Sequence, residues 1–385
     1  MTLLGAILLF GASQGLLLCV VILSIKTGDR GANALLGFFL GISAVELGLL
    51  ALSYSGLSFH SDLYKLYAVA ILKGPALYLY VRALTEPGFR LAGPQLKHLA
   101  LIVPNLLLIW LLTDMEGSSG SVSGEYLLAP ASVYWYSIVL NLISLAYAAA
   151  ALGVLNRYRN QVEDLFSSIE EISLGWLKWL LVFYVTLRLG NIVLDAMRAQ
   201  GMLLVSYKSY AVALLNIGVI YFVSIGGLRQ PIIFSGQFRN GLAQPGPSIE
   251  QTVERTETEK YEKSGLSDTR IERIWQQLNQ AMNQEHLYVN PELTLPALAA
   301  NLNVSANDLS RVINSREDKS FYDFVNSYRV KAASALLRNS ENDSRKMLDL
   351  AMDAGFKSQS TFYNHFKKQF GLTPSQYRAK AGDMA

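Results

Sequence analysis

Two sets of polar side chains near the end of this sequence have the types and spacing to read a hydrogen-bonding surface. Asn307, Ser310 and Arg311 share one face of a candidate helix, and Gln359, Ser360, Thr361 and Asn364 share one face of another. Arg can pair bidentately with guanine, and Gln or Asn with adenine. A third set is of the opposite kind. Glu46 in "SAVELGLL", Lys73 in "AILKGPALYLY", and Arg188 with Asp195 in "TLRLGNIVLDAM" are ionisable groups inside apolar stretches, where charge is costly and tends to be functional. No HExxH pair, nucleophile elbow or catalytic carboxylate dyad is present. The single cysteine, Cys19, lies in an apolar run and forms no CxxC motif. The expectation is therefore a protein that is not an enzyme, with no cofactor and no metal.

The elements that must position the first two sets follow from apolar periodicity. In "SDTRIERIWQQLNQAMNQE", Ile271, Ile274, Trp275, Leu278 and Met282 recur at three- and four-residue spacing and make one apolar face. Leu295, Leu298, Ala299 and Leu302 form a short helix that Asn303 ends, since Asn tolerates the left-handed turn conformation. Ser305 opens the next helix, with Asp308 three residues on as a capping-box variant. There Leu309, Val312 and Ile313 point inward, which leaves Asn307, Ser310 and Arg311 outside. This is a helix-turn-helix pattern. A longer helix follows, with Phe321, Phe324, Val325, Tyr328, Ala332 and Leu336 as its packing stripe. The arrangement then repeats, with a turn at Gly355 and a cap at Ser358, which sits 53 residues after Ser305. Phe362, Phe366 and Phe370 turn inward, and Gln359, Ser360, Thr361, Tyr363, Asn364 and Lys367 are expected to reach outward.

The segments "LAANLNVSANDLSRVIN", "SFYDFVNSYRVKAA" and "LAMDAGFKSQSTFYNHFKKQFGLTPSQYR" resemble the DNA-binding domain of the AraC/XylS family of bacterial transcription regulators. The resemblance covers roughly the last 115 residues. It implies two recognition helices entering successive major-groove segments on one face of DNA. Asn307, Ser310 and Arg311 would then face bases, as would Gln359, Ser360, Thr361 and Asn364. Lys367, Lys368 and Arg378 would contact phosphates, which position the domain without specifying sequence. The chain departs from the family in "REDKS", which is acidic where a Gly is more usual.

Upstream the composition changes. Residues 1–228 hold 13 Lys/Arg and 12 Asp/Glu, whereas residues 229–385 hold 20 and 18 in far fewer positions. Seven windows approach the roughly 20 apolar residues that cross a bilayer: Leu3–Ile25, Ala32–Tyr54, Leu63–Leu84, His98–Leu112, Ser132–Leu155, Trp176–Met197 and Leu204–Leu228. Pro104 interrupts the fourth. Lys26, Arg30, Arg90, Lys97, Arg157 and Arg159 lie in the odd-numbered loops, whereas "LSFHSD" and "DMEGSSGSVSGEY" carry no Lys or Arg. Lys65, Arg198 and Lys208 run against that bias. The majority puts the N-terminus outside and the C-terminal half in the cytoplasm.

The expected fold class is all-α. A seven-helix transmembrane sensor domain over 1–228 is followed by a polar linker over 229–265. Residues 266–385 then form an all-helical domain with two helix-turn-helix units, in a multi-pass protein of the bacterial inner membrane. The linker phrase "KYEKSGLSD" resembles an AraC/XylS subgroup with an N-terminal multi-span region. The leading reading is a one-component transcription regulator that senses a signal in the membrane and binds promoter DNA. Its expected partners are double-stranded promoter DNA, the lipid bilayer, an unknown small-molecule or membrane signal, and a second copy of itself. Glu46, Lys73 and Arg188 are candidates for an intramembrane ligand site, and buried pairs that fix helix packing are the plainer alternative. A transporter or membrane enzyme with a helical regulatory module also stays open.

Overall fold

The computed structural model describes residues 3–25, 29–53, 66–86, 88–115, 131–170, 172–202, 214–223 and 267–382. These residues are predominantly helical, and no strand occurs among them; an isolated antiparallel bridge joins Phe166 to Thr294. They form two compact units. The first takes Met1–Arg157 and Leu174–Ala243, and the second takes Tyr158–Ser173 with Gln244–Ala385. A division at residue 228, as composition suggests, misses that Tyr158–Ser173 belongs with the second unit.

The first unit contains α1 (Leu3–Ser24), α2 (Arg30–Ser53), α3 (Lys73–Thr85), α4 (Ile102–Met115), most of α5 (Ala131–Leu165), α6 (Gly175–Ala199) and α7 (Leu214–Val223). On α1, Leu8 and Ile22 are buried, yet Phe10, Leu16, Leu17 and Val20 are exposed. A helix apolar on all sides suits either a large core or a lipid environment. Small residues bring α1 and α2 close together: a Cβ on Gly15 would lie 3.1 Å from the Cβ of Ala44. Five described helical stretches are long and apolar enough to cross a membrane: Gly5–Ser24, Arg30–Leu52, Ala68–Thr85, Tyr134–Leu165 and Gly175–Ala199.

The fourth apolar window behaves differently. A 3₁₀ helix over Gly93–Leu101 leads into α4, which has 14 residues, and Pro104 falls in its first turn. A proline is tolerated there because the N–H it lacks has no helical partner anyway. Pro75 is placed in the same way, at the start of α3 where the 3₁₀ helix Leu66–Leu72 ends. Of the seventh window, Leu214–Val223 is described; the linker 229–265 lies outside the described residues.

In the second unit, α8 (Asp268–Asn283), α9 (Leu295–Asn301), α10 (Ala306–Glu317), α11 (Phe321–Arg338), α12 (Met347–Asp353), α13 (Gln359–Phe370) and α14 (Pro374–Gly382) build two cores. Ile274, Leu278, Met282, Leu298, Leu309 and Val312 pack with Phe321, Phe324 and Val325 from the start of α11. Val330, Ala333 and Leu337, from its second half, pack with Leu350, Phe356, Phe362 and Phe366. Helix α11 therefore belongs to both cores and joins them. Asn326 and Arg329 on the same helix are fully buried as well, with Ser167 among their partners.

Candidate nucleic-acid interface

The two helix-turn-helix units are built alike, residue by residue. In the first, Asn303 sits at φ 54°, and the Val304 N–H donates to Ala299 O at 3.0 Å. In the second, Gly355 sits at φ 91°, and the Phe356 N–H donates to Ala351 O at 3.0 Å. Both turns thus satisfy the end of one helix through a left-handed residue. Glycine is required at the second turn, because a Cβ on Gly355 would lie 2.6 Å from Tyr288 O. Each following helix opens on a serine. Ser305 Oγ accepts from the Asp308 N–H at 3.0 Å, and Ser358 Oγ accepts from the Thr361 N–H at 3.2 Å.

On α10, Leu309, Val312 and Ile313 are buried, while Asn307 and Arg311 are exposed and Ser310 is half-buried. Asp308 contributes only its backbone to the cap. Its carboxylate accepts from Arg270 of α8 at 2.8 Å, which offsets an acidic charge beside the outward face. In "REDKS" the two acidic residues are matched by two basic ones: Lys319 pairs with Glu317 at 2.8 Å, and Arg316 reaches Glu272 of α8 at 2.6 Å. Asp318 takes the left-handed position that closes α10 (φ 50°), a position where glycine is the easier residue.

On α13, Gln359, Ser360, Asn364, Lys367 and Lys368 are exposed. Thr361 is not, which corrects the expectation that it reaches outward. It is buried and accepts a hydrogen bond from Ser358 Oγ at 3.0 Å. Tyr363 is half-buried. Lys368 lies 3.0 Å from Asp323 of α11, although it remains largely exposed.

Arg378 departs furthest from its expected phosphate role. Its guanidinium donates to the carbonyls of Asp343 at 2.8 Å and Arg345 at 3.0 Å, so it closes the chain between α11 and α12. Lys367 and Lys368 are left as the basic groups of that set beside α13. Arg329 is a functional residue that no motif or spacing marks in the sequence. It donates through Nε to Tyr288 O and through Nη2 to Asn290 O, both at 2.8 Å. Burial lowers its pKa to about 10, so it stays charged at neutral pH.

In the first unit, Lys73 is buried and ion-paired with Glu46. Its ammonium lies 6.0 Å from the Phe39 ring, which packs on Tyr184, and the Arg188 guanidinium sits 4.7 Å from the Tyr184 ring. Arg188 also donates to Asn141 Oδ1 at 3.3 Å, and Asp195 accepts from Ser137 at 2.7 Å. Glu46 and Lys73 are thus paired directly, while two aromatic rings lie between Lys73 and Arg188. Among the described residues, no group of three His, Cys, Asp or Glu side chains is placed to hold a metal ion.

Residues 298–380 match a family model described as a helix-turn-helix domain. Regulatory protein SoxS of Escherichia coli (strain K12) is 32% identical over 91 residues, 24% of this chain and 82% of that protein. The melibiose operon regulatory protein of the same strain is 30% identical over 86 residues, 22% of this chain and 28% of that protein. HTH-type transcriptional regulator MtrA of Neisseria gonorrhoeae is 31% identical over 91 residues, 24% of this chain and 29% of that protein. All three matches are of a length that one paired helix-turn-helix module occupies.

Proposed function

The chain belongs to the AraC/XylS family of transcription regulators, and from that premise we propose that it is a membrane-embedded one-component regulator. It is a DNA-binding regulator and not an enzyme. The observation that carries the reading is the pair of serine-capped helices α10 and α13, each apolar inward and polar outward, joined through α11.

In this reading Asn307, Ser310 and Arg311 contact bases from α10, and Gln359, Ser360 and Asn364 from α13. Lys367 and Lys368 supply the salt-dependent contact to phosphates. The seven apolar windows, five of which are long apolar helical stretches among the described residues, hold the first unit in a bilayer, and the loop charges put the second unit, with the segment after α5, on the cytoplasmic side. The buried Glu46–Lys73 pair, with Arg188 beyond two aromatic rings, is where a signal would act, because buried charge can be re-paired between two states. Two copies on one promoter would lengthen the DNA contact and raise effective concentration.

The test is an Arg311→Ala, Gln359→Ala double variant of the full chain, assayed on promoter fragments. Removing two base contacts is expected to weaken sequence-specific binding by about 2–6 kcal/mol in total, at about 1–3 kcal/mol for each. Binding as tight as wild type would remove both residues from the base-reading set.

A further inference from the structure

The segment Tyr158–Ser173 lies in the chain between two apolar helices, yet it folds with the DNA-reading unit. It carries Arg159 against Glu163, Asp164, Glu170 and Glu171, a net charge of −3. Resting on the reading of that unit as a DNA-binding module, we propose that this acidic segment is an autoinhibitory strap: docked, it holds duplex DNA away from α13, and its release permits binding.

The docking is specific. Phe166 bridges to Thr294, the cap of α9, and the Ser167 N–H donates to Leu293 O at 3.1 Å. Ser167 O accepts from Arg329 Nη1 at 2.8 Å and from Asn326 Nδ2 at 3.3 Å. Ser167 Oγ accepts from Arg329 Nη2 at 2.9 Å, and Ser168 Oγ from Nη1 at 3.3 Å. The strap therefore supplies half of the acceptors around a fully buried cation on the helix that joins both cores. A buried charge needs such partners, so this contact is more than incidental packing.

The strap reaches the reading helix as well. Glu170 Oε1 lies 3.4 Å from Ser358 Oγ, the cap of α13, and competes with Thr361 Oγ1 for its one proton. Arg159 and Glu163 line one cleft, of about 320 Å³, with Asn364 and Lys368 of α13. A duplex approaching Asn364 would thus meet the Glu163 carboxylate, which Arg159 partly offsets at 2.7 Å, with Glu170 at the cap beside it, and like charges repel. The contact is also built to release. Glu170 Oε2 is buried without a hydrogen bond, an arrangement that favours leaving. Once the strap departs, Arg329 still keeps Tyr288 O, Asn290 O and Asn326 Oδ1 as acceptors.

The test uses the full chain in lipid nanodiscs and a mixed-sequence duplex of about three helical turns. A Glu163→Gln, Glu170→Gln variant removes the repelling charge, and Ser167→Ala weakens docking without changing charge. A Glu285→Gln, Asp343→Asn variant, at two exposed sites outside the strap segment, makes the same change in net charge and controls for it. The expected result is roughly tenfold tighter duplex binding by the double variant and a smaller gain for Ser167→Ala. The control is expected to match wild type, and amide exchange across Phe166–Glu170 to speed up when duplex is added. The strap is overturned if duplex affinity is unchanged or weaker in both strap variants, or if those amides stay equally protected with DNA bound. If neither wild type nor any variant binds duplex at any salt, the DNA-reading function fails, and the strap fails with it.

Discussion

At the scale of residues, local chemistry carried most of the information. Asn303, Ser305, Gly355 and Ser358 announce their turn and cap roles because those roles depend on neighbours within a few positions. A Gly355→Ala variant is expected to lose about 1–3 kcal/mol of stability, since it combines a left-handed backbone with a clash on Tyr288 O. Denaturant unfolding of the full chain checks this, and wild-type stability would mean that the turn relaxes. Arg329 was illegible for the opposite reason: its acceptor Ser167 lies 162 residues away. The burial of Thr361 is not legible because one of its partners is Tyr322 of α11, far away in the chain. The two basic residues Lys367 and Arg378 look alike in sequence but should behave differently. Lys367→Ala is expected to reduce the salt slope of DNA binding by about 1 and leave folding intact. Arg378→Ala is expected to lower unfolding stability, because the Asp343 and Arg345 carbonyls lose their donor. Titrating binding against salt, beside thermal unfolding, separates the two roles.

At the scale of elements, the helices of the second unit were readable because each one has an apolar face against a core. Ile274, Leu278, Leu309, Val312, Phe362 and Phe366 are all buried as their spacing requires. Helix α11 was only half legible: a stripe of six residues was visible, but a helix serving two cores buries several sides. In the first unit, hydropathy located long apolar helices and Pro104 marked the fourth window as interrupted, but the 3₁₀ helix Gly93–Leu101 ahead of α4 was not legible, because both segments are apolar. Two reading helices predict two contacts. Hydroxyl-radical footprinting should show two protected tracts, about 10 base pairs apart on one face of the duplex. Arg311→Ala should weaken one tract and Gln359→Ala the other. A single tract that responds to both variants would mean that only one helix enters the groove.

At the scale of the whole molecule, the account joins an apolar multi-helix unit to a DNA-reading unit within one chain. Composition separated the halves at about residue 228, because charge density rises there. It could not show that Tyr158–Ser173 crosses that division, since assignment to a unit is a matter of three-dimensional packing. A regulator held in the membrane can bind only the DNA that reaches it, so the proposed function requires a module that faces the cytoplasm and recognises sequence. Genome-wide crosslinking of the tagged, membrane-fractionated chain tests this central claim most directly. The account predicts a small set of discrete sites that disappear in the Arg311→Ala, Gln359→Ala variant while the protein stays in the membrane fraction. No enriched sites, or the same sites retained by the variant, would contradict it.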